Sequence, residues 1–332
     1  MPSYNSRFIV QMVMTEYTVD RSIPATDDNV HSEWDRTIEP VADVESGDTV
    51  SFRCRDAWDG LIDEDTTAQE VPDALAQREG GMPITGPVAV EGARPGDVLA
   101  VEILDAEHDD WGWTTFRPRE DEFGLLYEEF EEWGLHYWRL GDGVGEFVDG
   151  IEVPLDPFPG TIGLAPADET GRDMGPPHDA GGNMDTKHLT AGTTLYLPVE
   201  VEGALLSIGD GHAAQGDGEI CGGAIETPLS LDVRVGVVSD RDISQPQYRM
   251  PSGSASRGDV PTYATTGISN DLMEATRKAT LSMVEHLQNE QGLSAHDAYI
   301  LTSVAADLKI NEVVDRPNWT VSSHVPEDIF PA

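Results

Sequence analysis

The chain has 332 residues, of which 62 are acidic and 20 basic, giving a formal net charge of −42; 39% are apolar, and glycine and proline number 33 and 22. Apolar and aromatic runs persist throughout, which excludes a disordered acidic chain, and no basic stripe exists to neutralise phosphates, which excludes a nucleic-acid partner. Many glycines and prolines between short apolar runs point to a turn-rich, mainly β protein.

The acidic residues are spread along the chain, with the densest runs at 119–132 and Asp63–Asp65. They read as a solvated surface suited to concentrated salt: at ~1 M the Debye length falls to roughly 3 Å and self-repulsion is screened. Cys54 and Cys221 are the only cysteines. Two distant cysteines define no disulfide framework, so a reducing, cytoplasmic setting is expected. The start MPSYNSRFIVQMVMTEYTVD lacks the pattern of a secretion signal. No apolar stretch reaches 18 residues, so no membrane-spanning helix is expected.

In chain order, residues 49–54 alternate Val50, Phe52 and Cys54 with polar neighbours and read as a strand. Residues 86–105 read as two strands joined by a tight turn at Ala93 to Asp97, with Val88 and Val90, then Leu99, Val101 and Ile103, sharing faces. Residues 193–208 read as another strand pair broken near Gly203, and 229–238 alternate cleanly from Leu229 to Val237. Residues 251–259 read as an exposed connection. From Asp271 to Asn289, Leu272, Thr276, Ala279, Met283 and Leu287 recur at helical steps, with Asp271 and Glu274 placed as a capping box and Gly292 as the stop. A second helix is predicted from Ser294, with Asp297 three residues on. The division expected is a β-rich region over 1–240 carrying the site, then an α/β portion over 241–332.

Two glycine-rich segments concentrate polar side chains: 181–190 (GGNMDTKHLT) and 209–219 (GDGHAAQGDGE), each beside a predicted strand. Their glycines let the backbone turn sharply, so that Asn183, Asp185, Lys187, His188, Asp210, His212, Asp217 and Glu219 converge at one end of a sheet. Neither segment is a phosphate loop, and neither is an EF-hand, since His212 stands at the third loop position, where an oxygen ligand belongs, and no Glu stands at the twelfth. HExxH and GxSxG are absent. Singly, each of these residues reads as an ordinary loop group bonding backbone amides; as a set they suit Zn²⁺ or a similar divalent ion. Cys221 reads as a packed thiol and not a nucleophile. His31, in HSEWD, and Asp56, after the strand 49–54, each read alone as structural.

The stretches GGNMDTKHLTAGTTLYLPV and GALLSIGDGHAAQGDGEICGGAIETP resemble the signature of the acetamidase/formamidase family. The resemblance extends, in order, to HSEWD near 31, GPVAVEGARPGDVLAVEILD at 86–105, WGWT at 111–114, PLDPFPGTIGLAP at 154–166, TTGISNDLMEAT at 265–276 and GLSAHDAYILTSVAADLKINEVVD at 292–315. It implies hydrolysis of formamide, acetamide or similar short amides to the carboxylate and ammonia. It also implies a jelly-roll-like β-sandwich with an additional small β-barrel portion and a C-terminal α/β portion, zinc or calcium, and a homodimer or higher homo-oligomer. With roles chosen by chemistry, His31, Asp56, Asp185 and His212 are the expected metal ligands, Glu219 the general base and acid, and Asn183 and Lys187 the groups that orient the amide or stabilise the oxyanion. The competing readings are a non-enzymatic jelly-roll module holding a divalent ion and a small ligand, and a metal-dependent hydrolase of another amide or imide.

Overall fold

The computed structural model describes residues 17–78, 80–118, 123–168, 170–253 and 260–331. Most of the N-terminal stretch, positions 119–122 of the acidic run and 254–259 of the expected connection lie outside the described residues.

Two sheets face each other. The larger has nine strands, in the order Arg21–Ile23, Thr49–Cys54, Leu229–Val238, Val98–His108, Thr194–Pro198, Gln247–Met250, Thr262–Ser269, Trp319–Pro326 and Asp307–Glu312. The six-stranded sheet runs Gly181–Asn183, Phe158–Leu164, Leu206–His212, Ile84–Val90 and Val30–His31, with Ala42–Val44 pairing in parallel with Ile84–Val90. One core joins them: Val50, Phe52, Leu99, Val101, Leu195 and Leu231 from the first pack with Val88, Phe158, Ile162, Leu206 and Ile208 from the second. Each such side chain, removed from water, contributes about 1.5–3 kcal/mol. The protein is therefore a mainly β sandwich. A four-stranded antiparallel sheet, Glu152–Pro154, Val144–Glu146, Gly134–Gly141 and Trp111–Phe116, forms the smaller β portion.

The strand pairs expected at 86–105 and 193–208 exist, but neither is a hairpin. Ile84–Val90 belongs to the six-stranded sheet and Val98–His108 to the nine-stranded one; Leu206–His212 and Thr194–Pro198 separate in the same way. Burial explains the parting, because Val88 and Val90 and then Leu99, Val101 and Ile103 are all buried when the two strands face each other across the core. The two corners interlock: Gly203 N donates to Ala93 O at 2.9 Å, Val90 N to Gly203 O at 2.9 Å and Gly96 N to Val199 O at 2.9 Å.

After residue 240, four more strands continue the nine-stranded sheet and two helices pack beside them. Helix Leu272–Gln291 is capped as expected: the Asp271 side chain accepts from Glu274 N, and Gly292 is left-handed at φ 65°. Helix Ala295–Ala305 is capped by Ser294, which accepts from Asp297 N. Among the described residues, no helix is long and apolar enough to cross a membrane.

Candidate active site

The strand Leu206–His212 runs antiparallel to Phe158–Leu164 and is buried along its whole length. Its first half, through Leu206 and Ile208, feeds the core; its second half carries Asp210 and His212. Asp210 is left-handed, at φ 57°. The carboxyl group it presents lies 3.3 Å from His212 Nε2. Glu226 Oε2 lies at the same distance, 3.3 Å, from that nitrogen. On the other side of the ring, Asp185 Oδ1 is 3.8 Å from Nδ1.

Gly160, on the facing strand, makes room for this convergence. A Cβ there would stand 2.5 Å from Asp210 Oδ2, 2.5 Å from His212 Cε1 and 2.6 Å from Asp185 Oδ1. Its carbonyl also receives the amides of Met184 and Asp185, each at 3.2 Å, which ties the first glycine-rich segment to the strand. Asp185 and Glu219 are left-handed as well, at φ 42° and 46°. Non-glycine residues adopt that conformation at a cost that surrounding structure must offset, and such residues cluster at functional sites.

Asp185, Asp210, Glu219, Glu226 and Asp315 are all buried around one imidazole. Burial pushes the Asp185 and Glu219 carboxyls well above their ordinary range, and neighbouring carboxylates add to the shift. Burial likewise lifts Asp315 to about 6 and Glu226 to about 7. Burial alone would lower the His212 pKa, but the Glu226 and Asp210 charges hold it well above the usual imidazole value. Burial would raise Asp210, yet the adjacent His212 brings it below its ordinary value. Neither oxygen of Asp185 meets a protein donor, and neither does Glu226 Oε2. Buried, unpartnered carboxylate oxygens beside an imidazole are the donor set a divalent cation satisfies. Among the described residues, two overlapping groups are close enough to hold an ion, Asp185–His212–Glu219 and Asp210–His212–Glu226.

The expected site residues divide. Asp185, His212 and Glu219 come together. Asn183 joins them: its Nδ2 donates to Asp315 Oδ2 at 2.9 Å and its Oδ1 accepts from Thr161. His31 does not enter either group; its Nδ1 is 2.8 Å from Glu33 O and its Nε2 2.9 Å from Ser207 Oγ. Asp56 also stands apart, each carboxylate oxygen accepting a backbone amide at 2.9 Å, from Trp58 and Gly60. Lys187 turns to Asp217, 3.1 Å away, and does not line the cavity over the cluster. The sequence placed Asp210 in the glycine-rich set but gave it no ligand role of its own, and did not single out Glu226 or Asp315. Asp210 stood two residues from His212 on a strand, a usable signal; Glu226 and Asp315 lie outside the glycine-rich segments and gave none.

A cavity of about 610 Å³ opens over the cluster, lined by Asn183, Asp210, His212, Glu219, Glu226 and Asp315. Trp58, Trp113, Phe123 and Met82 form an apolar wall, and Arg78 and Arg117 bring positive charge. Cys221 lies outside the lining, its thiol pushed up to about 11 by burial and then by Glu219.

The profile of the Acetamidase/Formamidase family matches residues 17–174 and 167–332. A formamidase of Methylophilus methylotrophus is 29% identical over 374 residues, spanning 92% of this chain and 90% of its own. An acetamidase of Mycolicibacterium smegmatis is 27% identical over 390 residues, spanning 93% of each. The crystal structure of an acetamidase from Bacillus halodurans superposes with a TM-score of 0.83 at 32% identity, covering 93% of this chain and 98% of that one.

Proposed function

Because this chain belongs to the acetamidase/formamidase family, we propose that it hydrolyses short amides at the carboxylate cluster around His212, with a divalent ion held there. The observation that carries this reading is the convergence of Asp210, Glu226, Asp185 and Glu219 on one buried imidazole beneath an open cavity. The overall step is R–CO–NH₂ + H₂O → R–COO⁻ + NH₄⁺.

We assign the ion to Asp210, His212 and Glu226, whose donor atoms stand closest together, and take zinc as the ion because an imidazole is among the ligands. The oxygen-rich surroundings favour calcium as the second choice. When bound, the ion supplies Lewis acidity that polarises the amide carbonyl and acidifies water. Glu219, its carboxyl raised by burial, takes the proton from the attacking water and returns it to the departing nitrogen. Arg78 lines the cavity and takes the role first given to Lys187, facing the negative charge that develops on the carbonyl oxygen. Asn183, with its amide engaged by Thr161 and Asp315, holds Asp315 in place.

Ammonia release from formamide, acetamide and longer amides, before and after chelation, tests this reading. Turnover that disappears on chelation and returns with zinc is expected; full turnover in a chelated, metal-free protein overturns the ion. His212→Ala should lose both the ion and the activity.

The remaining expectations join this proposal. The net charge of −42 supports adaptation to salt, so the unfolding midpoint should climb between low and molar monovalent salt, and a flat or falling midpoint contradicts it. The free Cys54 and Cys221 support a cytoplasmic setting. Exposed Met273, Leu281, Tyr299, Ile300 and Val304 on the two C-terminal helices support a homo-oligomer.

A further inference from the structure

His212 presents its two nitrogens to two different neighbourhoods. Nε2 lies 3.3 Å from both Asp210 Oδ1 and Glu226 Oε2. Nδ1 lies 3.0 Å from Gln215 Oε1. The Gln215 amide has only one workable orientation. Its nitrogen meets the backbone carbonyls of Asp185, at 2.7 Å, and Asn311, at 3.4 Å, and carbonyls only accept. The amide oxygen therefore faces the ring, and since that oxygen also only accepts, Nδ1 must carry a hydrogen. A neutral imidazole protonated at Nδ1 keeps its lone pair on Nε2.

We infer that Gln215 is a positioning residue: it fixes His212 as the Nδ1–H tautomer and dedicates the Nε2 lone pair to the space between Asp210 and Glu226. What fills that space rests on the ion proposed above; the tautomer does not. The assignment separates the two overlapping ligand groups. Nδ1 is the ring nitrogen nearer Asp185, and it has no lone pair to give on that side. Asp185 and Glu219 are left to water, substrate and protons.

The lock is braced from two parts of the chain. Asp185 belongs to the first glycine-rich segment. Asn311 stands next to last in the edge strand Asp307–Glu312, where a register shift between Ile310 and Glu312 releases it from the ladder. Asn311 is itself pinned: its Nδ2 donates to Thr186 Oγ1 at 2.9 Å and its Oδ1 accepts from Ser322 Oγ at 2.7 Å. Its carbonyl also accepts from Gly218 N at 2.9 Å, next to Glu219. A hydrogen-bond partner on the far nitrogen of a ligating histidine sets its tautomer and orientation, and losing that partner costs roughly 10–100-fold in metal affinity.

The test uses the whole protein with ¹⁵N-labelled histidine. In the metal-free enzyme, brought to a pH at which the ring has lost its second proton, His212 should keep its remaining hydrogen on Nδ1. With ¹¹³Cd²⁺ as probe, the metal coupling should appear at Nε2. Q215L keeps the side-chain volume and removes both hydrogen-bonding ends; cadmium and zinc affinity should fall roughly 10–100-fold, with a mixed tautomer. Q215E still accepts from Nδ1–H, though it loses the donor to the Asp185 and Asn311 carbonyls, and should keep the wild-type tautomer. A wild-type proton on Nε2, cadmium coupling at Nδ1, or wild-type affinity in Q215L overturns the inference. The wild-type spectra decide the matter even if Q215L does not fold. If wild-type protein binds neither metal but its proton sits on Nδ1, the ion proposal fails and the lock stands.

Discussion

The strand Leu206–His212 passes through two unlike environments within seven residues. At its start, Leu206 and Ile208 sit fully buried among aliphatic neighbours from both sheets, following the rule that apolar atoms leave water. At its end, Asp210 and His212 are as deeply buried, but they crowd against further carboxyls, and Asp185 and Glu226 keep oxygens without a protein donor. Three of these acidic residues also hold left-handed backbone. Consistency across levels makes a fold; one strand keeps the rules at one end and breaks several at the other, and the breaks fall where the proposal above puts the chemistry.

Four measurements bear on that contrast. The largest effect is expected from Glu219→Gln, which keeps shape and removes the titrating proton. Turnover should drop roughly 10²–10⁴-fold while the ion remains bound and the thermal midpoint holds or rises, since a strained buried carboxyl is gone. Normal amide turnover in this variant would remove Glu219 from the reaction. Next is Gly160→Ala. The new methyl group would meet Asp210, His212 and Asp185 at once, and displacing reacting groups by about 1 Å costs roughly 10²-fold. Activity close to wild type in a folded Gly160→Ala protein would show that the cluster tolerates looser geometry than described.

The third measurement is thermodynamic. Asp315 and Glu226 are raised in the folded state to about 6 and about 7, from ordinary values of 3.8 and 4.5. The folded state therefore holds more protons than the unfolded one between those limits, and stability falls as pH rises. In chelated protein the midpoint should decline from about pH 5 to about pH 7.5, and a saturating divalent ion should flatten the decline, because binding only the folded state stabilises it. A chelated midpoint that climbs over that window contradicts the account. The smallest effect is expected from Cys221→Ala, which should change turnover less than about twofold in a folded protein, since the thiol lies outside the cavity and is raised to about 11. Loss by orders of magnitude would restore a thiol nucleophile.

Much of this was legible in the sequence, for reasons that differ by region. Leu229–Val238 alternates because one face is core and the other is half-exposed, and the helix caps at Asp271 and Ser294 are local signals with local causes. The glycine-rich segments announced Asp185, His212 and Glu219. The parting of 86–105 and 193–208 into opposite sheets was not legible, because alternation reports which face is buried and not which sheet buries it. That Lys187 turns to Asp217 was not legible either, because that pairing is set by how two loops meet. Gln215, three residues after His212, gained meaning only when the carbonyls of Asp185 and Asn311 appeared on its other side.

The interlocked corners at Ala93 and Gly203 bear on how the chain reaches this structure. Beside its own turn bonds, each corner exchanges backbone bonds with the other, Gly203 N to Ala93 O and Val90 N to Gly203 O among them, so neither is complete alone. The two segments are on the order of a hundred residues apart, and the entropy of closing that loop must be met before either contact rewards it. The corners should therefore form late and together, as a clasp rather than as two turns. Gly203→Ala, at a position left-handed at φ 76°, should therefore lower stability chiefly by speeding unfolding, with the folding rate little changed.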